Sequence, residues 1–247
     1  MRWMKRTVLL FTLLIVTPLL IAACSSARLG ADWRTADRSS ADLAPDPLQH
    51  RDAVVQVYAA RAFNWRGIFA VHTWIAVKPK DAGRYTVHEV IGWRARHGGP
   101  ALVSHARLPD RRWYGAEPEV LREVRGDEAE ALIPAIERAV LSYPYDHRYV
   151  MWPGPNSNTF VAHVGREVPG LRLDLPPTAI GKDFLSGGRV FGPAPSNTGW
   201  QLSLLGVLGL TVAVEEGLEV NIFSLGLGVD PLDLAIRLPG VGRVGVF

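Results

Sequence analysis

A chain of 247 residues, 48% of them hydrophobic, is long enough to bury one sizeable core and does not have a disordered composition. Its 27 basic and 24 acidic residues give a formal charge of +3, but Arg2, Lys5 and Arg6 precede an apolar N-terminal run, and the chain beyond Ala23 carries 24 residues of each sign. Without a basic excess on the folded part, nucleic acid is excluded as an expected partner.

The short basic region leads into an uncharged run from Thr7 to Ala23 and then Ile21-Ala22-Ala23-Cys24-Ser25-Ser26, the anatomy of a secretory signal with a small-residue cleavage site. Pro18 interrupts the run, which is short against the ~20 residues of a membrane span. An uncleaved inner-membrane helix is the alternative. Ile21-Ala22-Ala23-Cys24 also resembles the bacterial lipobox, whose cysteine is lipidated and becomes the mature N-terminus, and by the same resemblance Ser25 leans toward the outer membrane on the periplasmic side. Cys24 is the single cysteine, so an intramolecular disulfide and thiol chemistry elsewhere are excluded.

Residues 1–23 therefore read as signal peptide and 24–50 as a lipidated N-terminus and polar linker. Asp37, Asp42 and Asp46 are too irregularly spaced on it to suggest a metal site. A first strand is expected over Val54–Arg61 and a second over Ile68–Val77. In the second, Phe69, Val71, Thr73, Ile75 and Val77 form the better core face, and His72 lies beside Trp74 on the other. Tyr85–Trp93 is the expected third strand, a hairpin partner of the second. An even sum of paired residue numbers puts His88 on the His72 face, and an odd sum puts Glu89 there. His97 and His105 read as exposed loop or edge residues, and Ala101–Arg107 as a fourth strand.

Asp127 and Glu130 suggest a capping box opening a helix to about Ser142, kinked at Pro134. The rigid loop Trp152-Pro153-Gly154-Pro155 brings Asn156, Ser157 and Asn158 to the start of a second helix, about Ser157–Glu167, with Phe160, Val161, Val164 and Val168 facing the core and His163 on the surface or satisfied within it. Leu171–Leu175 is a short strand candidate. Beyond Ser196 the chain is glycine-rich and alternates in part, which suggests β-hairpins packed on the main domain, with an apolar face at Leu225, Leu227 and Val229.

A histidine in a strand, as in Val71-His72-Thr73-Trp74, followed by a strand with a polar partner and then by Asn156-Ser157-Asn158-Thr159-Phe160 at a helix start, resembles the circularly permuted papain-like, NlpC-type fold. Lecithin:retinol acyltransferase relatives are similar in order. In those enzymes a helix-borne cysteine attacks amide or ester carbonyls; Ser157 stands at that position here, and a hydroxyl needs a well-placed base where a thiol ionises readily. Gly67–Trp74, Tyr143–Phe160 and Leu173–Asp183 also resemble a bacterial domain-of-unknown-function family, numbered 3750.

The expected fold is α+β: an antiparallel sheet flanked by helices, permuted papain-like over 51–190, with a Gly-rich β extension over 191–247. Two functions are expected to compete. In one, an envelope hydrolase or acyltransferase acts on cell-wall or lipid substrates with Ser157 as nucleophile, His72 as base, His88 or Glu89 as its orienter, and Asn156 with helix N–H groups at the oxyanion. In the other, Ser157 caps its helix and a groove of Trp74, Trp93 and Trp152 binds envelope material without catalysis. Neither a cofactor nor a metal is expected.

Overall fold

A computed structural model of the chain describes residues 2–25 and 30–245. At the N-terminus α1 (Arg2–Phe11), a π-helical turn (Thr12–Val16) and α2 (Thr17–Ser25) follow one another. Lys5–Ser25 is 21 residues of helix, apolar and long enough to cross a membrane, so the run judged short from its uncharged residues alone reaches spanning length.

The chain is α+β, with two antiparallel sheets and several helices. The first sheet has the order β4-β3-β2-β1-β5, from β1 (Val54–Arg61), β2 (Val71–Lys78), β3 (Thr86–Val90), β4 (Leu102–Ala106) and β5 (Pro118–Arg125). Valine-rich β1 matches the expected strand residue for residue, as β-branched side chains buried on both faces favour. The second strand begins later than expected because Asn64–Ile68 forms a 3-10 turn, and β5 adds a strand that the sequence pattern does not announce. Trp93 belongs to the short helix α3 (Gly92–Arg96), not to the third strand.

One face of this sheet, through Val55, Val57, Val71, Ile75 and Val77, packs on α4 (Gly126–Leu141) and α5 (Ser157–Glu167). Ile133, Ile136 and Val140 supply α4's buried stripe, and Phe160, Val161 and Val164 that of α5. The expected capping box of α4 does not form: the helix follows β5 directly without a side-chain cap, runs through Pro134, and Glu130 accepts from the Lys80 N–H at 2.8 Å instead. The opposite face, with Tyr58, Trp74, Ala76 and Val87, is covered rather than open. Part of that cover is the stretch read as a tether. Asp110 accepts from the Ser40 hydroxyl and from the Leu43 and Ala44 N–H groups, and Tyr85 donates to Pro45 O, so residues 40–45 are held on the domain. Leu171–Leu175 forms no strand; a 3-10 turn at Pro169–Leu171 precedes it and all three leucines are buried.

The second sheet runs in sequence order from β6 (Phe191–Pro193) through β7 (Gly199–Leu204), β8 (Leu208–Ala213), β9 (Gly217–Ile222), β10 (Leu225–Asp230) and β11 (Ala235–Leu238) to β12 (Gly242–Val244). Its inward face is polar. Arg237 donates to Glu219 (2.7 Å) and to Asp174 (2.7 and 2.8 Å), and Lys182 contacts Glu219 (2.6 Å) and Asp183 (3.1 Å), all but Asp174 buried. Buried charges persist only when paired and hydrogen-bonded, and these pairs join the second sheet to the segment that leaves α5.

Candidate functional site

Ladder pairing between β2 and β3 joins Ile75 to His88 and Ala76 to Val87, an odd-sum register. Glu89 therefore shares the His72 and Trp74 face, and His88 lies on the helix-facing side, where its Nδ1 is 2.7 Å from the Ser104 hydroxyl. Burial, followed by the nearby His105, lowers the His88 pKa to about 4. It is a hydrogen-bonded core histidine and does not orient His72.

Glu89 is fully buried and collects donors: His105 Nε2 at 2.9 Å, Arg107 Nη1 at 3.3 Å and Arg111 Nη2 at 2.7 Å. His72 Nε2 lies 3.5 Å from its second oxygen, an electrostatic contact longer than a well-formed hydrogen bond. Burial by itself would raise the Glu89 pKa; the hydrogen bond from His105, the nearby His72 and the Arg111 charge outweigh it and hold the carboxylate ionised far below its ordinary range. For His72 the balance goes the other way. Burial lowers its pKa more than Glu89 raises it, so the imidazole is neutral at neutral pH. The ring is stacked on Trp113 with centroids 3.5 Å apart, and Arg111 lies 5.1 Å over the same indole.

Asn156, not Ser157, caps α5. Asn156 Oδ1 accepts from the N–H groups of Asn158 and Thr159, and the Thr159 hydroxyl accepts from Asn156 N, closing a capping box. Asn156 Nδ2 donates to Met151 O (3.1 Å) and Ile180 O (3.0 Å), which leaves neither amide proton for an oxyanion. That expected role is overturned, because the amide is consumed in holding the loop. Close approach requires Gly181 here: its φ is +101°, and a Cβ on it would stand 2.4 Å from Asn156 Nδ2.

Ser157 is consequently the first residue of α5 and its hydroxyl makes no hydrogen bond among the described residues. Its position is fixed through the backbone and through its neighbour. Thr73 Oγ1 donates to Asn158 Oδ1 at 2.9 Å, and Asn158 Nδ2 donates to Val71 O and Ile180 O.

Ser157 and His72 line one cavity of about 1230 Å³. β2 pairs with β3 only over Ile75–Val77, and the cavity is lined just beyond that pairing by Val71 and His72, one from each face of β2. Trp93 and Trp152 line the cavity too. Trp74 does not: it is fully buried, with Nε1 donating to Pro109 O at 2.7 Å, and Trp113 takes its place in the wall. Arg38, Arg66, Arg96, Arg107, Arg111 and Arg112 line the cavity, and no aspartate or glutamate is among the described lining residues. Arg111 is 4% exposed and its Nη1 is buried without a hydrogen-bond partner. No three-residue cluster of metal-binding type occurs among the described residues.

His105, Arg107, Arg111 and Trp113 are the site residues that sequence reasoning missed. The sequence presents His105 as an exposed loop or edge residue, and Arg107, Arg111 and Trp113 lie in or beside a stretch with no periodicity. The one signal was the density of arginines beside Trp113, and their common partner, Glu89, is set by tertiary folding.

No curated protein and no solved structure shows significant similarity to the chain. A family described as "Protein of unknown function (DUF3750)" matches residues 52–184, more than half of the chain and the whole span from β1 through the Asn156 loop to the Lys182–Asp183 clamp, and the chain belongs to that family.

Proposed function

We propose that the protein is a membrane-tethered cell-envelope hydrolase or acyltransferase in which Ser157 attacks an ester or amide carbonyl. The observation that carries this reading is the unengaged Ser157 hydroxyl, relieved of capping by Asn156 and opening on the same cavity as a neutral His72 backed by Glu89. His72 takes the hydroxyl proton as Ser157 Oγ bonds to the carbonyl carbon. Glu89 stabilises the imidazolium that forms. The Ser157 N–H, first in α5 and with no acceptor among the described residues, is placed to donate to the oxyanion at the positive end of the helix. Collapse breaks the bond to the leaving group, which departs with the proton from His72 and leaves acyl-Ser157. Water, or a second acceptor in a transfer reaction, then releases the acyl group.

The order of histidine strand and nucleophile helix, packed together at the end of a sheet, supports a permuted papain-like architecture with serine in the cysteine position. The arginine and aromatic lining favours a substrate with an acidic group and an apolar body, which among envelope esters and amides points to acidic lipids. Membrane attachment follows from either the lipobox at Cys24, with Ser25 directing the outer membrane, or retention of the 21-residue helix in the inner membrane.

A fluorophosphonate probe on the purified full chain tests the nucleophile. Labelling of wild type, with loss in Ser157→Ala and in His72→Ala, is expected. An unlabelled wild type that also fails to turn over acidic lipid esters would overturn the reading.

A non-catalytic binding module on the same fold is the second reading. It is favoured by one observation: among the described residues His72 Nε2 is buried without a hydrogen-bond partner, so it accepts nothing from Ser157. It requires that Ser157→Ala preserve cellular function while Trp152→Ala in the cavity wall abolishes it.

A further inference from the structure

The seven-stranded sheet reverses the usual placement of side chains. Gln201, Ser203, Thr211, Glu219, Asn221 and Arg237 point inward and are buried. The alternate positions point outward and are apolar, and the register aligns them in rows across the strands. Trp200, Val212, Leu218, Val229 and Ile236 form one row; Leu202, Leu210, Val220 and Leu227 form the next; Leu204, Leu208, Ile222 and Leu225 form the third. Outward positions on the strands of these rows carry no charge. The rows cross five strands, so four strand spacings make this apolar face about 19 Å wide, and a contiguous exposed apolar face of that kind marks an interaction surface.

The two ends of the sheet differ as well. At one end the connections contain Glu215, Glu216 and Asp233, with Arg172 and Arg243 paired to Glu215 and Asp233. At the other end the three turns, Leu205–Val207, Phe223–Ser224 and Pro239–Val241, hold no charged residue, and Leu205 and Phe223 are 62% and 66% exposed. The membrane-length helix meets this uncharged end: a Cβ on Gly240 would lie 2.9 Å from Leu19 and 3.2 Å from Ala22. Retained as a helix or cut back to a lipidated Cys24, the membrane attachment emerges beside the same turn.

We propose that the outward face of this sheet, led by its uncharged end, lies in the interfacial layer of the lipid bilayer to which the N-terminus is tied. The polar residues that would ordinarily face water are turned inward to clamp the sheet to the first domain, and the apolar residues that would ordinarily form a core face acyl chains. Phe223 belongs to both surfaces. It is exposed at the uncharged end, its carbonyl accepts from Trp152 Nε1 at 3.3 Å, and it lines the cavity that holds Ser157 and His72. The mouth of that cavity is thereby brought to the membrane surface, an arrangement that holds for a catalytic or a binding cavity alike.

The test uses the full chain with Cys24→Ser, which keeps the helix and removes the native thiol. Single cysteines are introduced by Leu210→Cys, Val220→Cys, Phe223→Cys and, as an aqueous reference on α4, Glu137→Cys, and each is labelled with an environment-sensitive fluorophore in phosphatidylethanolamine/phosphatidylglycerol vesicles. Labels at positions 210, 220 and 223 are expected to be quenched several-fold more by spin-labelled acyl chains than the label at position 137, and several-fold less by aqueous iodide. Iodide quenching at positions 210 and 220 equal to that at 137 would overturn the proposal. Shielding from iodide without acyl-chain quenching, accompanied by cross-linking of two copies through position 210 or 220, would overturn it in favour of a homodimer face.

Discussion

Asn156 caps the helix on which Ser157 is the first residue, and one side-chain oxygen serves two N–H groups, at 2.9 Å from Asn158 and 3.1 Å from Thr159. Structural work and chemical availability are thereby divided between adjacent residues. Asn156→Ala should lower stability by about 1–2 kcal/mol, the cost of a lost helix cap, with some addition from the loop bonds. Ser157→Ala should stay within about 0.5 kcal/mol of wild type, since its hydroxyl bonds to nothing among the described residues. Denaturant midpoints of the two variants check this, and equal losses would return the capping role to Ser157.

Glu89 neutralises a buried cluster, so Glu89→Gln should destabilise the protein by about 3–5 kcal/mol through the uncompensated Arg111 charge. Glu89 also raises the His72 pKa against the effect of burial. Its removal should therefore make His72 a weaker base, moving the acid limb of probe labelling to lower pH while slowing the plateau rate. A rate profile against pH distinguishes this from simple loss of folded protein, which lowers amplitude alone.

Acid should destabilise the fold through His88. Its folded pKa of about 4 lies below the ordinary 6.5, so the folded state binds fewer protons, and stability falls as pH drops through 6.5 toward 4. The contribution is about 3 kcal/mol over that window. His88→Gln keeps a partner for Ser104 without titrating, and its thermal midpoint should fall less between pH 7 and pH 4 than that of wild type. Parallel curves would show that His88 does not carry the effect.

Gly181 faces Asn156 with φ +101° and no room for a Cβ. Gly181→Ala should cost more than about 1 kcal/mol through strain at positive φ and displace the Asn156 amide. Probe labelling at Ser157 should fall with it even below the melting temperature, where circular dichroism should show the variant still folded.

The local elements were legible where pattern and burial agreed. Val54–Arg61 and Ser157–Glu167 announce themselves by β-branched density and by caps before an apolar stripe, and both appear with the expected bounds. The choice between His88 and Glu89 was reducible to parity but not decidable, because register depends on how the turn at 79–85 packs and not on its composition. The Glu89 cluster was not legible: His105, Arg107 and Arg111 reach one carboxylate from a strand and a loop with no shared period. The second sheet misled for a different reason. Alternation gives two faces without saying which is inside, and here the apolar one is outside.

The Lys182–Glu219 and Arg237–Asp174 contacts bear on how the chain can be divided. Similarity to the family ends at residue 184, whereas both ion pairs reach across that point. A fragment trimmed to the region of similarity would take Glu219 from Lys182, Arg237 from Asp174 and Gln201 from Arg166, next to the carbonyl of Ile180 on which Asn156 and Asn158 hang. The border that sequence kinship draws is therefore not a seam along which the molecule can be cut, and expression boundaries should enclose the C-terminal strands.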